Sequence, residues 1–164
     1  MNPTDPALVL LESHKSLVYH LIGLHVGKGV EADDAYQEIY LQVRKALPSF
    51  RAESKPSTWL YRVVLNTLLQ LKRSALRQPA TQSWDDVSQA AEASGGQTAN
   101  NDAAQRLDAA LRQLPVLDQT LIGLYFEGFD AHELGDLLGM EPGTISVRIH
   151  RIKKKLQQWL NSPH

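Results

Sequence analysis

The chain contains no cysteine, so neither a disulfide framework nor a thiolate-bound metal centre is open to it. No apolar run comes near the roughly 20 residues that a bilayer-spanning helix needs. Aromatic residues make up only 7% of the 164, which leaves aliphatic side chains to fill whatever core forms. A glycine-rich phosphate loop is missing, and so is the strict apolar–polar alternation of a half-buried strand. The opening Met1-Asn2-Pro3-Thr4-Asp5 has neither the basic stretch nor the apolar segment of a signal peptide. The expectation is a soluble, cytoplasmic protein with no direct membrane insertion.

Against these absences stands a hydrophobic content of 43%, enough for real cores and incompatible with disorder throughout. The length allows one domain or two small ones. A net charge of −1 gives little hint of a nucleic-acid partner, but the charges are unevenly spread. Residues 1–77 carry ten Lys/Arg against seven Asp/Glu, residues 78–102 carry four acids and no base, and residues 143–160 carry five bases and no acid. Local sign decides where a phosphate backbone can lie.

From Gln78 to Asn101 the composition turns to Ala, Ser, Gln, Gly and Asp. Such a stretch buries too little apolar area to offset its ordering entropy and reads as a flexible linker. It separates a domain over residues 1–77 from one over 102–164. In the first, Leu8, Leu11, Val18, Ile22 and His25 form a helical stripe ended by Gly27-Lys28-Gly29. Ala35, Ile39, Val43 and Ala46 form a second stripe closed by Pro48. Leu60, Val63, Val64, Thr67 and Leu71 form a third, opened by Ser54 as cap and Pro56 in the first turn. The second domain predicts four helices. Asn101 caps one carrying Leu107, Ala110, Leu111 and Leu114; Pro115 opens the next, with Leu117, Leu121 and Leu124. Asp130 and Glu133 have capping-box spacing ahead of Leu134, Leu137 and Leu138. Pro142 opens the last, with Ile145, Ile149, Ile152, Leu156 and Trp159. The fold class is all-α.

The final two helices and the glycine turn between them have the plan that sets a second helix into the major groove of DNA. At about 100° per residue, Val147, His150 and Lys154 point away from the isoleucine stripe, with Ser146, Arg151, Lys153 and Lys155 flanking them. Thr144 and Arg148 lie nearer the core edge. Arg can bond guanine bidentately and Lys suits phosphate; a solvated basic face on an ordinary helix is the alternative for this helix alone. On the second helix of the chain, Asp34, Gln37, Glu38, Leu41 and Lys45 share a polar face with one leucine as a candidate anchor, though on pattern alone plain solvent exposure accounts for it better. The third helix interleaves Trp59, Tyr61, Arg62, Asn66, Lys72, Arg73 and Arg77, aromatics among bases as single-stranded nucleic acid requires. Trp59, next to Leu60, is expected in the core.

Catalysis finds no support. The six histidines show no metalloprotease spacing and no pairing with a serine or aspartate motif. Asp33, Asp34 and Glu38 are hard-cation ligands by type, but nothing like a calcium loop surrounds them. No catalytic residue, cofactor, metal or small-molecule substrate is expected.

Three segments, Asp33-Asp34-Ala35-Tyr36-Gln37-Glu38-Ile39-Tyr40, Phe50-Arg51-Ala52-Glu53-Ser54 and Thr58-Trp59-Leu60-Tyr61-Arg62-Val63-Val64-Leu65-Asn66, together resemble region 2 of extracytoplasmic-function sigma factors. Leu114-Pro115 through Leu156 is similar to their region 4. The resemblance implies a transcription-initiation subunit that binds core RNA polymerase and promoter DNA. It would dock Asp34, Gln37, Glu38 and Leu41 on the β′ clamp helices and set the second domain at the β flap. Phe50, Arg51, Ala52, Glu53, Ser54, Arg62 and Asn66 would take the −10 element, with a flipped base held by the loop and Asn66. Thr144, Ser146, Val147, Arg148, His150, Arg151, Lys154 and Lys155 would meet the −35 element. An anti-sigma factor is a further candidate partner. Ser146-Val147 departs from the family's basic residue followed by serine, so the −35 sequence is this chain's own. A polymerase-binding paralogue without promoter activity and an ordinary helix-turn-helix repressor are the competing functions; the repressor needs neither the acidic face nor the base-capture loop.

Overall fold

A computed structural model describes residues 4–26, 30–76 and 102–162. The chain divides into two compact units, Met1–Thr81 and Gln82–His164. All regular structure among the described residues is helical. The linker expected over residues 78–101, the cap expected at Asn101 and the Gly27-Lys28-Gly29 stop lie outside the described residues.

The first unit starts with α1 (Pro6–Ser13) and α2 (Lys15–His25), where the sequence predicts one continuous helix. The break is at His14, with φ −123° and ψ 17°. Periodicity could not reveal it, because Leu11 and Val18, both fully buried, are two helical turns apart and the stripe keeps its phase across the break. The His14 ring stacks on Tyr61 at 5.6 Å and 13°. Asp5 caps α1, accepting from the Ala7 N–H at 2.9 Å, and Pro6 fills the first helical position, where no N–H is needed.

Helix α3 (Ala32–Ala46) buries Ala35, Tyr36, Ile39, Tyr40 and Val43. Asp33 and Asp34 occupy its first turn and Arg44 and Lys45 its last, a distribution that complements the helix dipole. A single 3-10 turn, Leu47–Ser49, ends it around Pro48. Helix α4 (Pro56–Leu76) begins with a bond from the Trp59 N–H to the Lys55 carbonyl, so the cap is Lys55 rather than Ser54. Its inner face buries Leu60, Tyr61, Val64, Leu65, Leu68 and Leu69, and it packs on α2 and α3.

Three tyrosine–carboxylate bonds tie α1, α2 and α3 together. Tyr40 donates to Asp5 at 2.6 Å, Tyr36 to Glu12 at 3.3 Å and Tyr19 to Asp33 at 3.0 Å, while Tyr19 and Tyr36 stack at 4.9 Å. Hydrogen bonding from Tyr40, and then from the Ala7 N–H, holds the Asp5 carboxyl below its ordinary range. Burial, with Glu12 beside it, pushes the Tyr36 phenol up to about 12. His25, in the apolar stripe as predicted, is 2% exposed, and burial, then Lys72 and His20, pulls its pKa down to about 3.

The second unit comprises α5 (Asp102–Arg112), α6 (Val116–Phe126), α7 (Ala131–Leu138) and α8 (Pro142–Asn161). Leu117, Leu121, Leu124, Leu134, Ile145 and Ile152 lie at its centre, and α5, α6 and α7 all pack on α8. Leu107, expected in the core, is 38% exposed; Ala110 and Leu114 carry the contact of that segment. The predicted capping box is present: Glu133 N–H donates to Asp130 and Asp130 N–H to Glu133, both at 2.9 Å. Gly139 ends α7 at φ 68°, a left-handed position that suits glycine. Gly135 is needed for another reason, since a Cβ there would lie 2.6 Å from the Met140 carbonyl oxygen.

Candidate nucleic-acid interface

On α8, Ile145, Ile149, Ile152 and Leu156 are buried, which turns the opposite face to solvent. Thr144, Ser146, Val147, His150, Arg151, Lys154 and Lys155 are all exposed. Gly143, Thr144, Val147, Arg151, Lys154, Lys155 and Gln158 border one open groove. The bases of this helix are not equivalent. Arg148 donates through Nε to Asp118 in the first turn of α6; only 29% of its side chain is exposed. That ion pair ties Arg148 to α6 at the border of the same groove, which Asp118 and Arg148 also line. Lys153 donates to the Tyr125 hydroxyl at 2.6 Å and lies 4.1 Å from the centroid of that ring. Lys155 lies 5.6 Å from the Trp159 ring. Arg151 and Lys154 have no such partner among the described residues. The tethers Asp118 and Tyr125 were not foreseeable, since both come from another helix with no local spacing to announce them.

On α4, Trp59, Arg62, Val63, Asn66, Gln70 and Arg73 fall within one arc at about 100° per residue, opposite the buried Leu60–Leu69 face. Asn66 and Gln70 are exposed, while Trp59, Arg62, Val63 and Arg73 are half-buried. Trp59 therefore does not belong to the core: its ring leans on Phe50 at 5.2 Å and 44°, joining the loop Phe50–Ser54 to this face. Lys72, grouped with the aromatic–basic face from sequence, is on the inward side of α4, where burial lowers its pKa. Within the loop, Arg51, Ala52 and Glu53 are exposed and Ser54 half-buried. Ala52 has φ 56°, a left-handed conformation costing a non-glycine residue about 1–2 kcal/mol. Strain of this size persists where surroundings over-determine the backbone, often at ligand-contacting loops.

On α3 the acidic face is a continuous exposed surface. Asp34, Gln37 and Leu41 are exposed, Leu41 at 52%, and Glu38 is half-buried, accepting from Gln42 Nε2 at 2.8 Å. An apolar side chain half open to water among acids and amides is the form of an interface anchor with a polar rim. Among the described residues no group of three or more His, Asp or Glu is disposed to hold a metal ion, and no helix is long and apolar enough to cross a membrane.

Residues 10–78 match the family Sigma-70 region 2, and residues 104–156 match Sigma-70, region 4. The RNA polymerase sigma-H factor of Pseudomonas aeruginosa is 31% identical over 166 residues, covering 93% of this chain and 84% of that protein. The extracytoplasmic-function RNA polymerase sigma factor SigM of Mycobacterium tuberculosis is 29% identical over 152 residues, with coverages of 92% and 75%. Among solved structures, the sigma factor RpoE from Bartonella quintana, in complex with the anti-sigma factor NepR, has the same fold, with a TM-score of 0.67 at 23% identity over 96% of this chain and 95% of that one.

Proposed function

The chain belongs to the extracytoplasmic-function group of the sigma-70 family, and from that membership we propose how its surfaces divide the work of promoter-directed initiation with RNA polymerase. The acidic face of α3, with Asp34, Gln37, Glu38 and Leu41, docks core polymerase at the β′ clamp helices. The loop Phe50–Ser54, with Arg62 and Asn66, receives an unstacked base of the −10 element and thereby assists melting. Helix α8 enters the major groove at the −35 element, with its unit set at the β flap. The chain acts in the cytoplasm without catalysis or cofactor, and an anti-sigma factor, of the kind that holds the Bartonella quintana protein, is a fitting regulator.

One observation carries the division: α8 is apolar inside and cationic outside, and it follows a capped helix and a left-handed glycine. A basic surface helix with no turn of this kind would bind phosphate without a register.

The test is reconstitution. Purified core polymerase plus this chain should give promoter-dependent transcripts that core alone does not. A Glu38→Lys, Leu41→Ala chain should keep its helical circular dichroism and lose association with core. Retained co-purification sinks the docking assignment, and absence of any promoter-dependent transcript with the unaltered chain sinks the functional reading.

A further inference from the structure

Val147 has no structural reason to be where it is. It is 52% exposed, among Ser146, His150 and Arg151, on the side of α8 opposite the buried isoleucines. A β-branched side chain on an exposed helix face loses helix propensity and leaves apolar area in water. The inner turns of the same helix hold Ile145 and Ile149 at full or near-full burial, so Val147 adds nothing to the core.

Its neighbours define what could cover it. Arg148, next to it, is drawn to Asp118, and Lys153 to Tyr125. The Ser146 hydroxyl donates back to the Pro142 carbonyl at 3.1 Å. The open groove beside Val147 is shared with Arg151 one turn further on and with Lys154. Residues 143–160 carry five bases and no acid, and the one acid lining the groove among the described residues, Asp118, is paired with Arg148, so the surface suits a polyanion and opposes a basic partner. A DNA duplex in that position offers one apolar group at its major-groove base edges, the 5-methyl of thymine.

We propose that Val147 is a specificity-determining side chain, packing its isopropyl group on the 5-methyl of one thymine of the upstream promoter element. This rests on reading α8 as the recognition helix. The stiffness of valine suits the role, because a helix leaves it one strongly preferred rotamer and little side-chain entropy is lost on contact. Arg151, lying one turn along the same groove, is placed for a guanine close to that thymine.

The experiment uses the full chain bound to core polymerase. The preferred upstream element is selected from randomised duplexes, and each thymine in it is then replaced singly by deoxyuridine, which removes only the methyl. One position should lose about fourfold in affinity, equivalent to burying one methyl-sized group at ~0.8 kcal/mol. In Val147→Ala the penalty at that position should vanish while those elsewhere persist. The substitution leaves the fold intact, since the side chain is exposed and alanine favours the helix. A selected element without any A·T pair, no thymine sensitive to methyl removal, or a penalty that persists in Val147→Ala each overturns the assignment. Failure of the unaltered holoenzyme to select any element would instead overturn the recognition-helix reading beneath it.

Discussion

Acidification to pH 5 should destabilise the first unit through His25. The side chain is 2% exposed and titrates at about 3 against an ordinary 6.5, chiefly because burial disfavours the imidazolium, with Lys72 and then His20 adding repulsion. The native state therefore keeps His25 neutral while the unfolded chain takes up a proton. The stabilisation is complete above pH 6.5 and is lost progressively as pH falls from 6.5 toward about 3. At roughly 1.4 kcal/mol per unit, the loss at pH 5 is about 2 kcal/mol, large beside a domain stability of about 5–15 kcal/mol. Asp5 does not confuse this window. Its carboxyl is held below the ordinary carboxylate value of 3.8, so its contribution is present above that value and fails only in stronger acid. The assay is urea unfolding at pH 7.5 and pH 5.0, followed by Trp59 fluorescence in a chain carrying Trp84→Phe and Trp159→Phe. His25→Gln cannot acquire the proton. It should lose packing equally at both pH values and show a pH-dependent drop smaller by about 2 kcal/mol. If both chains lose the same stability to within ~0.5 kcal/mol, a margin set by ordinary non-additivity, His25 charges freely in the native state and the account fails.

Gly135→Ala should cost the second unit about 1–3 kcal/mol, because the new methyl meets backbone, the Met140 carbonyl, at 2.6 Å; an unchanged thermal transition would show that the turn yields. Phe50→Ala with Asn66→Ala should reduce permanganate reactivity of the promoter bubble while leaving core association intact, and an unchanged bubble would place the base pocket elsewhere. Arg151→Ala should relax preference at one −35 position, for a loss of about 1–3 kcal/mol at the preferred base, whereas Lys154→Ala should weaken all sequences alike and flatten the salt dependence. A uniform loss in Arg151→Ala across every single-base variant would make it a phosphate contact.

Helical periodicity exposes whatever repeats every turn. The Ile145-Ile149-Ile152-Leu156 stripe, the Asp130–Glu133 capping box and the α3 core face with Ala35, Ile39 and Val43 could all be read from spacing alone. Periodicity fails where a break keeps phase, as at His14, and where a side chain's position depends on a distant partner. Trp59 follows the apolar rhythm of α4 closely enough to look buried, yet Phe50, from the loop before the helix, draws it to the edge. Lys72 sits among bases in the sequence and, half-buried, beside His25 in space. Arg148 looks like one more cation of a basic face until Asp118, thirty positions away, takes it.

These tethers alter the electrostatics of DNA binding. Of the five bases on α8, Arg148 and Lys153 are engaged within the unit, leaving Arg151, Lys154 and Lys155 toward solvent, the last near Trp159. With Arg151 at a base edge, two phosphate contacts, from Lys154 and Lys155, correspond to a salt slope of about −2 in log–log terms, too shallow for strong binding by α8 alone. Arg148 and Lys153 instead brace both ends of α6 against α8, and on the proposed reading this fixes the register in which Val147 and Arg151 would meet base edges. A chain of net charge −1 that is built this way has weak general attraction to duplex DNA and must gain residence from a second contact. The acidic face of α3 supplies that contact on the proposed reading: anchoring to polymerase turns the encounter of α8 with the promoter into an intramolecular step at high effective concentration. Weak charge and firm geometry then favour selectivity, because non-specific DNA competes through phosphates alone, and this helix offers few cations to them.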